Sequence, residues 1–319
     1  MTSPLRRPRF ERAKVAGIKL TPRDLLILRA VQRHRLLRST HLIALLDASR
    51  QMTLRRLQLL FHHGYLDRPA AQLDWYAKGS EPLVYALGNR GAAVLAAEGE
   101  RGGALRWDKN RNVSRQFLRH TLAVAEVMVA FEVACRKQEG VEFIRPEEVL
   151  AAAPQATRRL RLPFRWQVEV QEGGTLHRLG VEPDRVFGLR FASEPEHRRN
   201  AYFFLEADRG TMPVTRNGLA QTSFRRKLLG YRETWRQGLH RRHLGIPNFR
   251  VLTVTTSEER MRHLVAACRS LEGGRLFLFT DRESLGRGDI LWQEWVNSRN
   301  EVAGLISRLS IPRESVMLR

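Results

Sequence analysis

The sequence predicts an α+β chain, with an amino-terminal domain of short helices closed by a β-hairpin and a larger α/β domain behind it. Three observations carry this. Apolar residues recur at helical spacing in three successive segments between 21 and 64, then fall into extended runs up to Leu87. A stretch rich in Gly and charge, residues 99–112, interrupts the pattern. Beyond it, short apolar runs such as residues 201–206 alternate with amphipathic segments. At 319 residues the chain has the length of two domains.

Residues 1–20 carry Arg6, Arg7, Arg9, Arg12, Lys14 and Lys19 with two prolines and little apolar content, the composition of a flexible basic arm. Such an arm either touches a phosphate backbone or is a solvated tail. At Thr21-Pro22 an N-cap is followed by a residue suited to the first helical turn, and Leu25, Leu26, Leu28, Ala30 and Val31 continue a helix to about His34. Ser39 caps a second short helix, and a third runs from about Arg50 to Gly64. Residues 65–68 and 82–87 are β-rich and flank a polar turn at 77–80, which reads as a hairpin, and a last short helix ends near Glu98.

Helix, helix, helix, hairpin is the order of a winged helix-turn-helix, assigned to residues 21–98. In that arrangement the third helix enters the major groove. Its expected exposed face is Gln51, Thr53, Arg55, Arg56 and Gln58, with Leu54, Leu57, Leu60 and Phe61 turned inward and Lys78 at the tip of the turn reaching the backbone. The alternative use of the same domain is protein contact.

After the linker at 99–112, residues 113–137 read as an amphipathic helix with His120 and Glu126 near its apolar stripe. Residues 162–170 and 178–191 read as extended, and 201–206 as a central strand ending in Glu206-Ala207-Asp208-Arg209-Gly210. A long basic helix is expected over 216–239, then a strand at 250–255, a helix capped by Ser257 with Glu258 and Glu259 in its first turn, and a strand at 276–280. The α/β domain is bounded at 113–285. Residues 286–319 are expected as a carboxy-terminal helical extension, amphipathic over 292–306.

Composition narrows the function. Lys and Arg total 55 against 33 Asp and Glu, a net charge of +22, which calls for an anionic partner, most simply double-stranded DNA. Arg outnumbers Lys 49 to 6, a bias that weakens the charge as a signal without explaining the shortage of acids. Cys135 and Cys268 stand alone in apolar contexts, so a disulfide framework and a Cys-based zinc site are excluded. There is no apolar run of the ~18 residues a membrane span needs, and no secretory h-region, so the expected location is the bacterial cytoplasm without membrane contact.

One constellation points to chemistry. Asp184 follows Pro183, Glu206 and Asp208 lie about 20 residues later at a strand end, and Lys227 lies one helix further on as the sole lysine beyond Lys137. Carboxylates on neighbouring strands are hard ligands for Mg²⁺ or Mn²⁺, and a compact ammonium beside them can orient water or steady a phosphate. Tyr231, four residues after Lys227, shares its helix face and either contacts DNA or braces the site. His62-His63 and His240 with His243 lack ligand partners at metal spacing and read as solvated termini.

The runs TPRDLLILRAVQRHRLL, LRRLQLLFHHGYLDR, VYALGNRGAAVL, LRHTLAVAEV, EPDRVFGL, YFFLEADRGT, RRKLLGYRETW and RVLTVTTSEERMRHL together resemble the replication-relaxation family of plasmid and mobile-element proteins. The resemblance spans about residues 20–270. It implies a role in replication, transfer or maintenance of mobile DNA, with a replication or conjugation protein as partner and a homodimer as one possible assembly. The second domain also resembles, more distantly, the PD-(D/E)xK nuclease superfamily. That resemblance implies acid places at Glu126, Asp184 and Glu206, metal at Asp184 and Glu206, Asp208 assisting, and phosphate or DNA contacts at Arg209, Arg225, Arg226 and Tyr231. Asp208 stands where the superfamily wants a strand lysine, so that lysine would come from the helix as Lys227. Two readings remain open: a metal-dependent DNA endonuclease or nickase, and an inactive nuclease fold serving as a DNA- or partner-binding scaffold.

Overall fold

The structure is a computed structural model that describes residues 9–73, 81–99, 110, 112–271 and 274–306. It divides into two compact units, residues 1–129 and 130–319.

The first unit begins with α1 (Pro22–His34), capped as its sequence asks: the Thr21 side chain accepts from Asp24 N, and the Asp24 side chain accepts from Thr21 N. Next come β1 (Leu36–Arg38), α2 (Ser39–Leu46), α3 (Arg50–His62), β2 (Leu66–Asp67), β3 (Val84–Leu87) and α4 (Asn89–Ala97). The three strands form an antiparallel sheet in the order β1-β3-β2, with Leu36 opposite Ala86 and Leu66 opposite Leu87. Ile27, Leu28 and Val31 of α1 and Leu57, Leu60 and Phe61 of α3 form its buried faces. The start of β3 is clipped by Gln72, whose side chain bonds both Val84 N and Val84 O at 2.7 and 2.9 Å. Gly91 must be glycine, since a Cβ there would lie 2.3 Å from Tyr65 O. Lys78 and the turn expected at 77–80 lie outside the described residues.

Two expectations about this unit change. The described part of the basic arm, residues 9–19, is fastened along α3: Arg12 donates to Phe61 O, Leu66 O and the Asp67 carboxylate, Ala13 N donates to His62 Nδ1, and the Ala16 carbonyl meets His63 Nε2. Its arginines serve local carbonyls and a buried carboxylate, which is why a polar segment lies down on the domain. The linker expected at 99–112 falls mostly outside the described residues. The helix after it, α5 (Arg115–Lys137), contributes Leu118 and Leu122 to the first unit's core beside Leu36, Val84 and Ala86, so the division between units falls within α5 rather than before it.

The second unit is built on a seven-stranded mixed sheet. Its strands are β4 (Val141–Ile144), β7 (Arg185–Phe191), β8 (Asn200–Ala207), β9 (Arg250–Thr255), β10 (Phe277–Asp281), β11 (Trp295–Asn297) and β12 (Val302–Ala303), in the spatial order β12-β11-β10-β9-β8-β7-β4. The pairs β8–β9 and β9–β10 are parallel and the others antiparallel. Such parallel strands need crossovers. α8 (Phe224–Arg236), followed by α9 (Leu239–Leu244), links β8 to β9, and α10 (Glu258–Arg269) links β9 to β10. The central strands read almost without alternation, as strands covered on both faces do: Phe203, Phe204, Leu205, Leu252 and Phe279 are buried. Two short helices, α6 (Pro146–Ala152) and α7 (Gln155–Arg158), precede a separate hairpin of β5 (Trp166–Glu172) and β6 (Thr175–Val181) that packs on α8.

The extended run expected at 178–191 is broken at Glu182-Pro183-Asp184 into strands of two different sheets, because proline cannot continue the ladder. The basic helix starts at Phe224 rather than 216, where Ser223 accepts from Arg226 N as its N-cap. The carboxy-terminal extension is not helical in its described part. Trp295, Val296 and Asn297 alternate buried, half-buried and buried, a period of two, and Asn297 closes the turn by accepting from Arg299 N and Glu301 N. A short α11 (Arg282–Leu285), capped by Asp281, is the sole helical piece described after β10. Among the described residues no helix is long and apolar enough to cross a membrane.

Candidate functional site

The first candidate surface is α3. Gln51, Arg55 and Gln58 share one exposed face together with Met52, which is 62% exposed. Two of the expected contact residues face elsewhere. Thr53 is buried, on the side of α3 that carries Leu57 and Leu60, because its position in the helical period belongs to the core stripe. Arg56 donates from Nε to Asp24 Oδ1 at 2.6 Å and from Nη2 to Asp24 Oδ2 at 2.5 Å and to Lys19 O at 2.6 Å, so it locks α3 to α1 and to the basic segment. Asp24 is fully buried. Burial pushes its carboxyl up, but hydrogen bonds from Arg56 and Thr21 outweigh this and hold it below the ordinary carboxylate range. Arg55 and Gln58 remain available and, with Arg9 and Arg68, line a cavity of about 390 Å³ beside the basic segment.

The second candidate surface lies at the carboxyl ends of β8 and β9. Glu206, near the end of β8, is 2% exposed. Lys227 and Tyr231 stand one turn apart on α8, and that spacing brings both onto Glu206: Lys227 Nζ donates to Oε2 at 2.5 Å, and the Tyr231 hydroxyl donates to Oε1. Asp184, at the entry to β7, accepts at Oδ2 from Ala207 N at 2.8 Å and faces the same centre. Burial and the neighbouring Asp184 charge push the Glu206 carboxyl up to about 7, against the opposing pull of Lys227 and Tyr231. Burial draws the Lys227 ammonium down, but Glu206 and Asp184 more than compensate and raise it above its ordinary value. The Tyr231 hydroxyl is raised by burial and by the Glu206 charge. Tyr231 is itself 2% exposed, so it braces the carboxylate and has no surface to offer DNA.

Asp208 is held separately. Its Oδ2 accepts from Thr255 Oγ1 at 2.7 Å and from Arg260 Nε at 3.0 Å, and Arg260 also reaches Met212 O at 2.6 Å. This arginine, in the first turn of α10, was not singled out from the sequence. The Ser257 cap fixed the helix start, but nothing in the chain marked which of its side chains would return to β8. Glu126 lies on the portion of α5 in the first unit and faces Arg38 at 3.9 Å. Arg225 pairs with Glu172 at 2.9 Å, while Arg226 is half-buried with its Nε unpartnered. Arg209 is half-buried just beyond β8.

A divalent cation would have to find open oxygen ligands here. Both Glu206 oxygens already accept hydrogen bonds, one from an ammonium, and Asp208 is committed to Arg260. Among the described residues no group of three or more His, Cys, Asp and Glu is placed to hold a metal ion. The donor set as arranged therefore does not fit Mg²⁺ or Mn²⁺. The histidines expected at solvated termini differ too: His240 is buried between Thr234 O and Pro247 O, and His243 bonds Pro163 O at 2.7 Å.

A family model described as replication-relaxation matches residues 28–248, from within α1 to the loop before β9. No curated protein and no solved structure matches the chain.

Proposed function

The chain belongs to the replication-relaxation family, and from that premise we propose that it is a DNA-binding accessory protein of plasmid or mobile-element replication or transfer. Its first unit acts as a winged helix on double-stranded DNA, and its second unit is a nuclease-like scaffold that holds DNA or a replication or conjugation partner without cutting. The order α1-β1-α2-α3-β2-β3 and the β1-β3-β2 sheet support the winged-helix reading, with α3 as the groove-reading helix. Arg55 and Gln58 on its exposed face are suited to guanine or phosphate and to adenine.

The observation that carries the non-cutting reading is the commitment of the acids. Asp208 stands where a nuclease of this type wants its lysine and is neutralised by Arg260. Glu206 is sealed from solvent by Lys227 and Tyr231. Satisfied and desolvated in this way, the three elements β8, α8 and α10 are tied into one rigid body. The test is incubation of the full chain with supercoiled plasmid and Mg²⁺ or Mn²⁺. The plasmid is expected to stay supercoiled. Metal-dependent nicking that disappears in Asp184→Ala and Lys227→Ala overturns the scaffold reading in favour of an endonuclease.

A further inference from the structure

At the end of β8 opposite Glu206, where Asn200 and Tyr202 enter the sheet beside the start of β9, the second unit opens into a groove of about 1000 Å³. That is the upper end of the ~300–1,000 Å³ range of ligand sites. Among the described residues its wall carries six arginines, Arg198, Arg232, Arg236, Arg250, Arg275 and Arg299, and no Asp or Glu. Arg232 and Arg236 are anchored from behind by the buried Glu233 at 2.9 and 2.8 Å. Among the described residues Arg198, Arg275 and Arg299 are exposed with no acidic partner, so the groove keeps most of its charge. Between the two anchored arginines, Trp235 lines the groove with its side chain 52% exposed. An indole left in water beside six guanidinium groups is not accounted for by packing. Asn200, also in the lining, keeps its Oδ1 buried without a hydrogen-bond partner.

We infer that this groove binds a short stretch of single-stranded DNA, with an unpaired base stacked on Trp235 and the flanking phosphates held by Arg198, Arg275 and Arg299. Stacking platforms flanked by cationic side chains are how single strands are held without sequence readout. An intact duplex turns its bases inward and offers Trp235 no ring face, and an acidic peptide would use the arginines but leave the indole idle. The inference goes beyond the proposed function, which needs only duplex contact through α3. It adds a place for a separated strand.

The test is fluorescence anisotropy of a labelled single strand of about 12 nucleotides, a length within the ~4–16 nucleotide footprints of single-strand sites, titrated with the full chain. Trp235→Ala is expected to weaken binding by about five- to a hundred-fold, the loss of one stacked base, while Trp235→Phe retains most of it. Arg275→Ala with Arg299→Ala, both at exposed positions, should lower the slope of log affinity against log salt by about 1.4. Arg55→Ala with Gln58→Ala, which lie on α3, should leave single-strand affinity unchanged, so failure of the duplex reading and failure of this one are told apart. Trp235→Ala binding like wild type overturns the inference, as does displacement of the strand by polyglutamate as readily as by unlabelled strand.

Discussion

Lys227 Nζ lies 2.5 Å from Glu206 Oε2, joining a helix to the end of a central strand at a carboxylate that is almost fully buried. With Tyr231 on the other oxygen and Asp208 bound by Arg260, the acidic end of β8 is a cross-braced joint. Lys227→Met leaves Glu206 buried without its cation. A fully buried pair broken in this way costs ~3–5 kcal/mol, and with the lysine side chain 35% exposed the expected loss is about 2 kcal/mol, read as a lowered Tm.

The same joint sets a pH dependence. The Glu206 carboxyl is raised from 4.5 to about 7 in the folded chain, so the folded state holds this proton more tightly than the unfolded one. Its contribution to stability is present in full below pH 4.5 and is lost as pH rises through about 7. Thermal unfolding followed across this window should show the decline, and Glu206→Gln should flatten it. An unchanged slope in the variant would place the titrating group elsewhere.

In the first unit Arg56 and Arg55 are neighbours with opposite duties. Arg56→Ala strands the buried Asp24 carboxylate and should destabilise the unit by about 3 kcal/mol. Because that carboxyl is held below its ordinary range, the stabilisation it provides is present at neutral pH and lost on acidification, so the Tm difference between wild type and variant should shrink at low pH. Arg55→Ala should leave Tm unchanged.

Arg12 ties the basic segment to α3 and β2 through two backbone carbonyls and Asp67. Arg12→Ala should cost about 1–3 kcal/mol and free residues 9–19 for protease cleavage. Limited proteolysis with amino-terminal sequencing of the fragments reads this directly. Cleavage of the wild-type segment at the same rate would mean that these contacts do not hold it in solution.

How far the sequence revealed all this differs by element. The first and third amino-terminal helices were legible from Thr21-Pro22 at the start of one and Gly64 beyond the end of the other, whereas Ser39, expected as the cap of the second, is its first helical residue and Arg38 takes the cap position. Glu206, Lys227 and Tyr231 were legible as a set because a strand-end acid and an i, i+4 pair on the next helix constrain each other. Their role was not, since exposure and hydrogen-bond saturation depend on which long-range partners arrive, and Arg260 comes from an element 52 residues away from Asp208. Arg56 is hidden for the same reason, since helical periodicity does not show that α1 presents Asp24 to the flank of α3, whereas Thr53 sits four residues before Leu57 on the core side that the period itself marks. The carboxy-terminal hairpin was read as helix because 292–306 alternates over too few residues to separate a period of two from one of 3.6. The arginine-lined groove left no trace in spacing, as its wall gathers residues from 197 to 305.

The central claim, that α3 docks this chain on duplex DNA, is tested most directly by the salt dependence of duplex binding for wild type and for Arg55→Ala with Gln58→Ala. The account predicts affinity that falls steeply with salt in the wild type, and in the variant a loss of at least ten-fold with a slope shallower by about 0.9, the share of one phosphate contact. Identical isotherms and slopes for the two proteins would contradict it.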